Sequence, residues 1–486
     1  MRTLLAFLAL TTPALAAPLL APPVAPDKTL APLLKTTAPV IALTHARIID
    51  GTGAPPQTDM TLVIDHGRIA TIMPAGSPTP PGAIVKDLTG KSVLPGLVGM
   101  HEHLFYIARP RIAAGEPPQA PLLVPQMTYS APRLYLAGGV TTIRTGGSVE
   151  PYADVNLKQQ IDAGMLPGPH IDVSGPYLEG ATSVFIQMHH LRDADDARET
   201  VNFWANRGVT SFKAYMNITR AELGAAIDAA HARGLKVTGH LCSVTYAEAA
   251  ELGIDDLEHG FFVNTVDDPD HAPDHCSKTD GEETLKKLDP DGPEAAALIA
   301  KLVARHVAIT STLPVFEAFY RIDTVPRPAA MVAAMAPQAV AQMDFVHARI
   351  KSRQLPDDAT IFAHGMKMER NFVRAGGLLI AGLDPTGAGN VVPGFGDARG
   401  VELLVEAGFT PLEAIRIATL NGAIYEGVDG KIGSVQTGKN ADLLVVRGDP
   451  SASINDIEVV DEVFKDGIGW DPAKLRASVA GDYSLY

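Results

Sequence analysis

Short apolar segments of strand type alternate with helical segments through most of this 486-residue chain, and this alternation constrains its fold more than any other feature. Eight such segments over about 300 residues are the pattern of a parallel (β/α)8 TIM barrel. The helical stretch 220–233 shows apolar residues at i, i+3 and i+4, and Gly234 follows its end. The pattern by itself also permits a doubly wound open sheet. The eight predicted strands are 93–100, 139–147, 170–178, 208–216, 235–242, 254–262, 306–314 and 377–385.

Both flanks of the predicted barrel carry short alternating segments of β type. They run over residues 40–72 on one side, and IGSVQTGKNADLLVVRGDP returns to short strands on the other. A helix over 412–419, ended by Asn421 and Gly422, is expected between them. The two β regions are expected to join as one small discontinuous β-sandwich. The expected boundaries are 1–16 signal peptide, 17–38 Pro- and Ala-rich linker, 39–92 first β part, 93–425 barrel, 426–470 second β part and 471–486 C-terminal tail.

The sequence VLPGLVGMHEH, at 93–103, ends in two histidines two positions apart. Because side chains alternate along a strand, His101 and His103 are expected to project to the same side, an arrangement that suits a divalent metal. Each of the other ligand-type residues is ordinary when taken alone. Together they end separate predicted strands, where the active sites of barrels are built, and they therefore predict a metal centre. These residues are Lys213, His240, His259 and Asp384.

The motifs resemble those of the amidohydrolase superfamily, from about residue 40 to residue 450. The resemblance is carried by VLPGLVGMHEH, GVTSFKAYM, KVTGH, LEHG, LIAGLDP and IATLNGAIYEGVDGKIGSVQTGKNADLLVV. It is to the subtype with two metals bridged by a carboxylated lysine, in the imidazolonepropionase-like and Xaa-Pro dipeptidase-like branch. The resemblance implies that a more buried ion is held by His101, His103 and Asp384. It also implies that His240 and His259 hold a more exposed ion, and that Lys213 bridges the two as its carbamate.

Imidazole and carboxylate ligands favour zinc for the pair of divalent ions, with manganese, cobalt and iron as the alternatives. Such a pair polarises a carbonyl and lowers the pKa of a bridging water, and Asp384 is expected to serve as general base and then as general acid. The expected reaction is hydrolysis of a carboxamide C–N bond in a dipeptide or in an N-acyl or aryl-carbonyl amino acid. Tyr215 is expected to hydrogen-bond the carbonyl oxygen. Arg144 is a candidate for binding a substrate carboxylate, with a structural ion pair as the alternative.

Other functions remain open at this point. The same centre would hydrolyse lactones or carbamates. A single-metal deaminase is disfavoured because no acidic residue follows His240 before Glu248, and because Lys213 would have no role. A metal-binding protein without catalysis is disfavoured by the intact ligand set.

The remaining features bear on partners and location. A net charge of −15 without any Lys- or Arg-rich run argues against nucleic acid and anionic membranes as partners. A small molecule or peptide is expected instead, and relatives are often homo-oligomers. Arg2, the apolar run 4–10 and Ala14-Leu15-Ala16 predict a signal peptide cleaved after Ala16, hence a secreted or periplasmic protein.

Two loop features complete the expectations. Cys242 and Cys276 are expected to form a disulfide near the barrel mouth, with two free thiols as the alternative. The insertion 315–374, rich in Met and aromatic residues, is expected to be a mostly helical cover over the metals, with ordinary core packing as the alternative.

Overall fold

The structure is a computed structural model that describes residues 18–107, 124–181, 183, 185–387 and 391–485. Within these residues the chain forms seventeen strands, in three hydrogen-bonded sheets, and fifteen α-helices. The predicted signal peptide, 1–16, lies outside the described residues. In the part that is described, no helix has both the length and the apolar character that crossing a membrane requires.

The strands are β1 (Leu34–Thr36), β2 (Val40–Ile48), β3 (Gln57–Asp65), β4 (Arg68–Pro74), β5 (Ile84–Asp87), β6 (Lys91–Pro95), β7 (Leu97–Glu102), β8 (Val140–Thr145), β9 (His170–Asp172), β10 (Ser211–Ala214), β11 (Lys236–Gly239), β12 (Asp256–Glu258), β13 (Ala308–Ser311), β14 (Leu379–Ala381), β15 (Leu443–Arg447), β16 (Val460–Lys465) and β17 (Ile468–Trp470). The helices are α1 (Ser130–Ala137), α2 (Pro151–Asp162), α3 (Ala194–Ala205), α4 (Arg220–His231), α5 (Tyr246–Leu252), α6 (Glu282–Lys287), α7 (Pro293–Ala304), α8 (Leu313–Tyr320), α9 (Ala329–Ala334), α10 (Pro337–Lys351), α11 (Asp358–Arg374), α12 (Phe395–Glu406), α13 (Pro411–Arg416), α14 (Gly422–Tyr425) and α15 (Pro472–Ala477).

One nine-stranded sheet unites the two ends of the chain. Its order is β1-β17-β16-β15-β6-β2-β3-β4, and β5 also pairs with β2. The pairing that joins the N-terminal and C-terminal parts is antiparallel, from Leu443 opposite Pro95 to Arg447 opposite Lys91. The two β regions expected to associate therefore do so, in one continuous sheet.

Eight further strands, β7 to β14, are parallel and form a three-stranded sheet, β7-β8-β9, and a five-stranded sheet, β10-β11-β12-β13-β14. Contacts join the two sheets at both edges. On one side Ser174 forms a parallel bridge with Ser211. On the other, the backbone amide of Asp384 donates to the carbonyl of His101 at 2.9 Å. The carboxyl ends of the eight strands consequently gather at one end of the unit.

Gly96 divides the strand predicted over 93–100. Residues up to Pro95 belong to β6 in the nine-stranded sheet, and Leu97 begins β7 in the parallel sheet. A Cβ placed on Gly96 would lie 2.2 Å from Oγ1 of Thr141, so the crossing between the two sheets leaves no room for a side chain. The domain boundary expected at residue 93 therefore moves to Gly96.

Both ends of the described chain are more ordered than the sequence suggested. The predicted linker contains a 3-10 helix, Lys28–Leu33, followed by β1, which pairs with β17. The C-terminal tail contains α15 and the buried Tyr483, whose backbone bonds to Ala334 and Ala336. These contacts hold the tail against α9.

The helix expected to end at Asn421 and Gly422 continues instead. A π-helical turn, Ile417–Asn421, connects α13 to α14 without a break. The side-chain amide of Asn421 donates to the carbonyl of Leu379 at 2.8 Å, so this residue ties the helix to β14.

Candidate metal centre

Six predicted ligand residues line one cavity of about 90 Å³ at the carboxyl ends of the parallel strands. His101 lies in β7 and His103 just beyond it, and Lys213 lies in β10. The other three follow strands directly: His240 after β11, His259 after β12 and Asp384 close behind β14. Parallel strands place their carboxyl ends together, so residues separated by up to 283 positions, between His101 and Asp384, meet at one site.

Asp384 joins the two histidines of the HEH motif. Its Oδ1 lies 3.0 Å from Nε2 of His103 and 3.5 Å from Nε2 of His101. Donor atoms of the three residues all lie within 4.8 Å of one another. Asp384 has a φ of 61°, a left-handed conformation uncommon outside glycine, so the backbone is strained to aim this carboxylate.

Neighbouring charges and burial shift the pKa values of these three groups in opposite directions. Burial would raise the pKa of Asp384, but His101 and His103 outweigh it and hold that pKa well below its usual range. Burial lowers the pKa of His103 to about 4. Asp384 is therefore ionised and His103 is a neutral imidazole at neutral pH, which are the protonation states that a metal ligand needs.

His240 and His259 lie beside this group, with ring centroids 4.5 Å apart, and the His259 ring is 4.6 Å from that of His101. Nδ1 of His259 lies 2.8 Å from the hydroxyl of Thr312. That contact leaves Nε2 of His259 available to a ligand. Nε2 of His240 is buried and has no hydrogen-bond partner among the described residues.

Lys213 is buried beneath the histidines, with 1 % of its side chain exposed. Its Nζ lies 3.7 Å from Oε1 of Glu258. Burial lowers the pKa of the Lys213 amine, although Glu258 and Asp384 oppose that shift. A larger fraction of neutral, nucleophilic amine is available at this position than on an exposed lysine.

Glu258 is a residue of the candidate site that sequence reasoning missed. Its Oε2 lies 2.7 Å from Nδ1 of His101, and its Oε1 accepts from the hydroxyl of Thr238 at 2.6 Å and from Arg144 at 3.1 Å. A proton on Nδ1 leaves Nε2 of His101 free, on the side of Asp384. The available signal was the motif LEHG, in which the buried Glu258 ends β12 and directly precedes His259.

Arg144 does not line the cavity. It is 1 % exposed and lies below the histidines, where its guanidinium donates to Asp256 at 2.6 Å and to the carbonyl of Met100 at 2.7 Å. Nη2 of Arg144 is thus engaged by buried carboxylates and Nε by a carbonyl, while Nη1 is buried and has no hydrogen-bond partner among the described residues. The structural alternative is therefore the one that its contacts support, and the expected substrate role is not.

Tyr215 lies at the cavity wall, where its ring is 5.2 Å from that of His240 and 4.7 Å from that of Tyr177. Burial raises the pKa of its phenol, so Tyr215 remains a hydrogen-bond donor at any ordinary pH. The same wall is apolar, and Tyr215 packs there against a buried cluster. The cluster consists of Phe105, Ile107, Val124, Val149, Tyr177, Phe185 and Met188.

The two loop features expected near the cavity differ in outcome. Cys242 and Cys276 form a disulfide, with Cα atoms 4.7 Å apart. The insertion 315–374 is helical, and two parts of it approach the site. The Phe316 ring is 5.7 Å from that of His259, and the side-chain amide of Gln342, in α10, donates to the carbonyl of the cavity residue Ile107 at 3.2 Å. The end of the insertion is α11, which packs beside α7 and β14 as an ordinary helix of the parallel unit. The part of the insertion near the cavity is therefore limited to α8 and the Gln342 contact of α10.

The donor set fits a metal. Histidine nitrogens and a carboxylate oxygen suit zinc, and Nδ1 of His103 is a further buried nitrogen without a partner among the described residues. Buried imidazoles that lack hydrogen bonds cost free energy unless a ligand satisfies them. The site thus has the chemistry of a metal centre with an apolar wall on one side.

Known proteins resemble this chain both in sequence and in fold. The sequence matches the amidohydrolase family over residues 92–468, and no curated protein matches it. The fold is similar to that of a protein from Bifidobacterium longum assigned as a prolidase, with 26% sequence identity, a TM-score of 0.64, and coverage of 90% of this chain and 97% of that one. It is also similar to a Xaa-Pro dipeptidase with methionine bound in its active site (20% identity, TM-score 0.65, coverage 89% and 100%) and to an ochratoxinase from A. niger (16% identity, TM-score 0.63, coverage 92% and 100%). The chain belongs to the amidohydrolase family and is a hydrolase that acts on C–N bonds.

Proposed function

We propose that this protein is an exported, metal-dependent amidohydrolase that cleaves the carboxamide bond of a dipeptide or of an N-acyl or aryl-carbonyl amino acid. The observation that carries the proposal is the convergence of six ligand-type side chains on one cavity. Relatives in fold described as a prolidase, a Xaa-Pro dipeptidase and an ochratoxinase support an amide or peptide substrate.

The architecture proposed for this function is a closed (β/α)8 barrel with a small β-sandwich. Contacts at both edges of the two parallel sheets support closure. Ser174, just beyond β9, bridges to Ser211 of β10, and Asp384, just beyond β14, donates its backbone amide to His101 of β7. In such a barrel the catalytic groups come from several strand ends.

We further propose that the site binds two divalent ions and that Lys213 carries a carbamate. The types of the ligand residues favour zinc for both ions. His101, His103 and Asp384 would hold one ion, and His240 and His259 the other, with Lys213 between them. When bound, two ions of this kind polarise a carbonyl and lower the pKa of a water molecule. The lowered pKa of the buried Lys213 amine supports its carboxylation.

Side chains of the protein would then orient the substrate and transfer a proton from the attacking water to the leaving amine. Ionised Asp384 accepts the proton of the attacking water and returns it to the leaving amine. Tyr215, protonated and 5.2 Å from the His240 ring, donates to the carbonyl oxygen. The apolar wall around Phe105 and Tyr177 excludes water and receives a nonpolar part of the substrate.

Export is supported by the disulfide, because disulfides persist in oxidising compartments. The proposed location is therefore extracytoplasmic, and the proposed partner is a small molecule or peptide, with a homo-oligomer compatible with the family.

A substrate panel tests the proposal. Purified, metal-loaded protein is assayed on dipeptides, N-acyl amino acids, lactones and carbamates, and His103→Asn is compared with His189→Asn, a half-exposed histidine paired with Asp196. Amide cleavage that is lost on chelation and in His103→Asn, but kept in His189→Asn, is the expected result. Cleavage of lactones or carbamates alone would replace the amide assignment with that alternative.

A further inference from the structure

The segment that follows β12 is tied to the strand that carries His240. The disulfide joins Cys276 of this segment to Cys242, two residues beyond His240. The hydroxyl of Thr265, at the start of the segment, donates to the carbonyl of Cys242 at 2.8 Å. The path of the segment over residues 265–276 is therefore anchored twice beside one of the proposed metal ligands.

Asp268 forms hydrogen bonds with residues 277–284, which follow directly along the chain. This carboxylate is 5 % exposed and gathers donors from both sides of Asp280. The hydroxyl of Thr279 donates to it at 2.8 Å and the amide of Gly281 at 2.9 Å, so the residues directly before and after Asp280 are both held. Its other donors are Ser277, through the hydroxyl, and Thr284, through both amide and hydroxyl.

Asp280, held in this way, directs its carboxylate to His240. Its backbone has a φ of 46°, in the left-handed region, and Oδ2 lies 3.6 Å from Nε2 of His240. Oδ1 is buried and has no hydrogen-bond partner among the described residues. The other close donor-type atoms are the sulfurs of Cys242 and Cys276, which are joined in a disulfide and so are not metal ligands. Asp280 thus lies beside His240 and does not belong to the donor group of His101, His103 and Asp384.

We propose that Asp280 is a specificity residue that binds the free α-ammonium group of the substrate. The inference rests on the proposed function and narrows it, from amides in general to dipeptides with an unblocked N-terminus. A half-buried carboxylate with an unpartnered oxygen recognises a cation through a charge-assisted hydrogen bond.

Substrate geometry agrees with this placement. In a dipeptide the α-nitrogen lies only about 2.5 Å from the scissile carbonyl carbon, across one Cα atom. A carbonyl bound beside His240 and His259 therefore has its ammonium group close to the same histidines. An N-acyl or aryl-carbonyl substrate has a neutral carbon at that position and would leave the Asp280 carboxylate without a counter-charge.

A matched pair of substrates and a matched pair of variants test the proposal. The substrates are alanyl-phenylalanine and propionyl-phenylalanine, which share the scissile bond and differ by the ammonium group. The variants are Asp280→Asn and Asp267→Asn, the latter an exposed acid of the same segment. We expect Asp280→Asn to lower kcat/KM for the alanyl substrate by about 10- to 100-fold. It should leave the propionyl substrate within about twofold and the metal content unchanged, with Asp267→Asn resembling the wild type on both.

Each other outcome overturns the proposal in a recognisable way. Equal losses on both substrates would make Asp280 a general structural residue. Loss of metal from Asp280→Asn would make it a metal ligand. Cleavage of the propionyl substrate with no preference for the alanyl one would refute the ammonium site and leave the amidohydrolase function intact. Cleavage of no amide by the wild type would refute both.

Discussion

Oε2 of Glu258 lies 2.7 Å from Nδ1 of His101, and both side chains are fully buried. Burial would raise the pKa of Glu258, yet His101, Lys213 and Arg144 together hold it well below its usual range. One carboxylate thus accepts a hydrogen bond from Nδ1 of a proposed metal ligand and offsets the charge of the buried Arg144. Because Glu258 contacts both His101 and Arg144, a change in this buried ion network also changes the electrostatic environment of the candidate metal centre.

Glu258→Gln should therefore damage both folding and metal binding. Removing one partner of a buried ion network costs about 3–5 kcal/mol of the free energy of unfolding, and a ligand histidine without its carboxylate loses about 10- to 100-fold in metal affinity. Urea denaturation and metal titration measure the two effects. Glu251→Gln, which removes a surface partner of Lys301, is the control and should change neither. Identical behaviour of the two variants would contradict the proposed role.

Lys213→Met should abolish most of the activity while the protein stays folded. The substitution keeps the length of the buried side chain but removes the amine that carries the carbamate. Metal analysis should fall from two ions per chain to one or none, with an unchanged circular dichroism spectrum. Lys301→Met, on the surface, is the matched control. Two retained ions and full turnover in Lys213→Met would rule out the bridging lysine.

Asp384→Asn should slow amide hydrolysis far more than hydrolysis of an activated ester with the same acyl group. The leaving amine of an amide needs the proton that Asp384 delivers, whereas an activated phenolate leaves without one. Steady-state kcat on both substrates, with metal content measured in parallel, gives the comparison. Equal losses would mean that Asp384 is a ligand only and that another group is the acid.

Exported protein, denatured without reductant, should show no titratable thiol, and two after reduction. The chain has only Cys242 and Cys276, which are 34 positions apart in sequence. Closing a loop of this size stabilises the fold by about 2–4 kcal/mol, so Cys242→Ser/Cys276→Ser should unfold at lower urea. Free thiols in the native exported protein would contradict the disulfide.

The free energy of unfolding of Glu369→Gln should exceed that of the wild type by a margin that grows as pH rises. Glu369 is buried beside Ser311, and burial raises the pKa of its carboxyl group from 4.5 to about 8. Between those values the folded state keeps a proton that the unfolded state releases, so stability falls with increasing pH. The variant should match the wild type near pH 4.5 and exceed it increasingly toward pH 8. Glu199→Gln, at an exposed position, should show no such divergence, and a constant difference across pH would refute the assignment.

Much of the centre could be predicted because strand geometry is local. The period of two in β7 places His101 and His103 on one side whatever the rest of the chain does. The ends of apolar segments place Lys213, His240, His259 and Asp384 at strand termini, and parallel strands bring such termini together. The association of the terminal β regions followed from hydrophobic alternation in the same way.

Other features depend on which strands are neighbours and on the path of the loops, neither of which a local pattern contains. The sequence leaves open whether Arg144 binds a substrate or forms a structural ion pair, and only the tertiary structure places Asp256 and Glu258 of β12 against it. Gly96 marks the passage between sheets only because Thr141 packs against it.

Asp280 is the clearest case of a residue whose position the tertiary structure decided. It lies 40 positions from His240 in a segment without periodicity, and its place depends on the disulfide and on the buried Asp268. By itself the sequence predicted the six proposed ligands and determined the alternation of strands and helices, since residue type and local period carry both signals. Only the tertiary structure decided which charges meet, because the energy of a buried charge depends on neighbours that are distant in sequence.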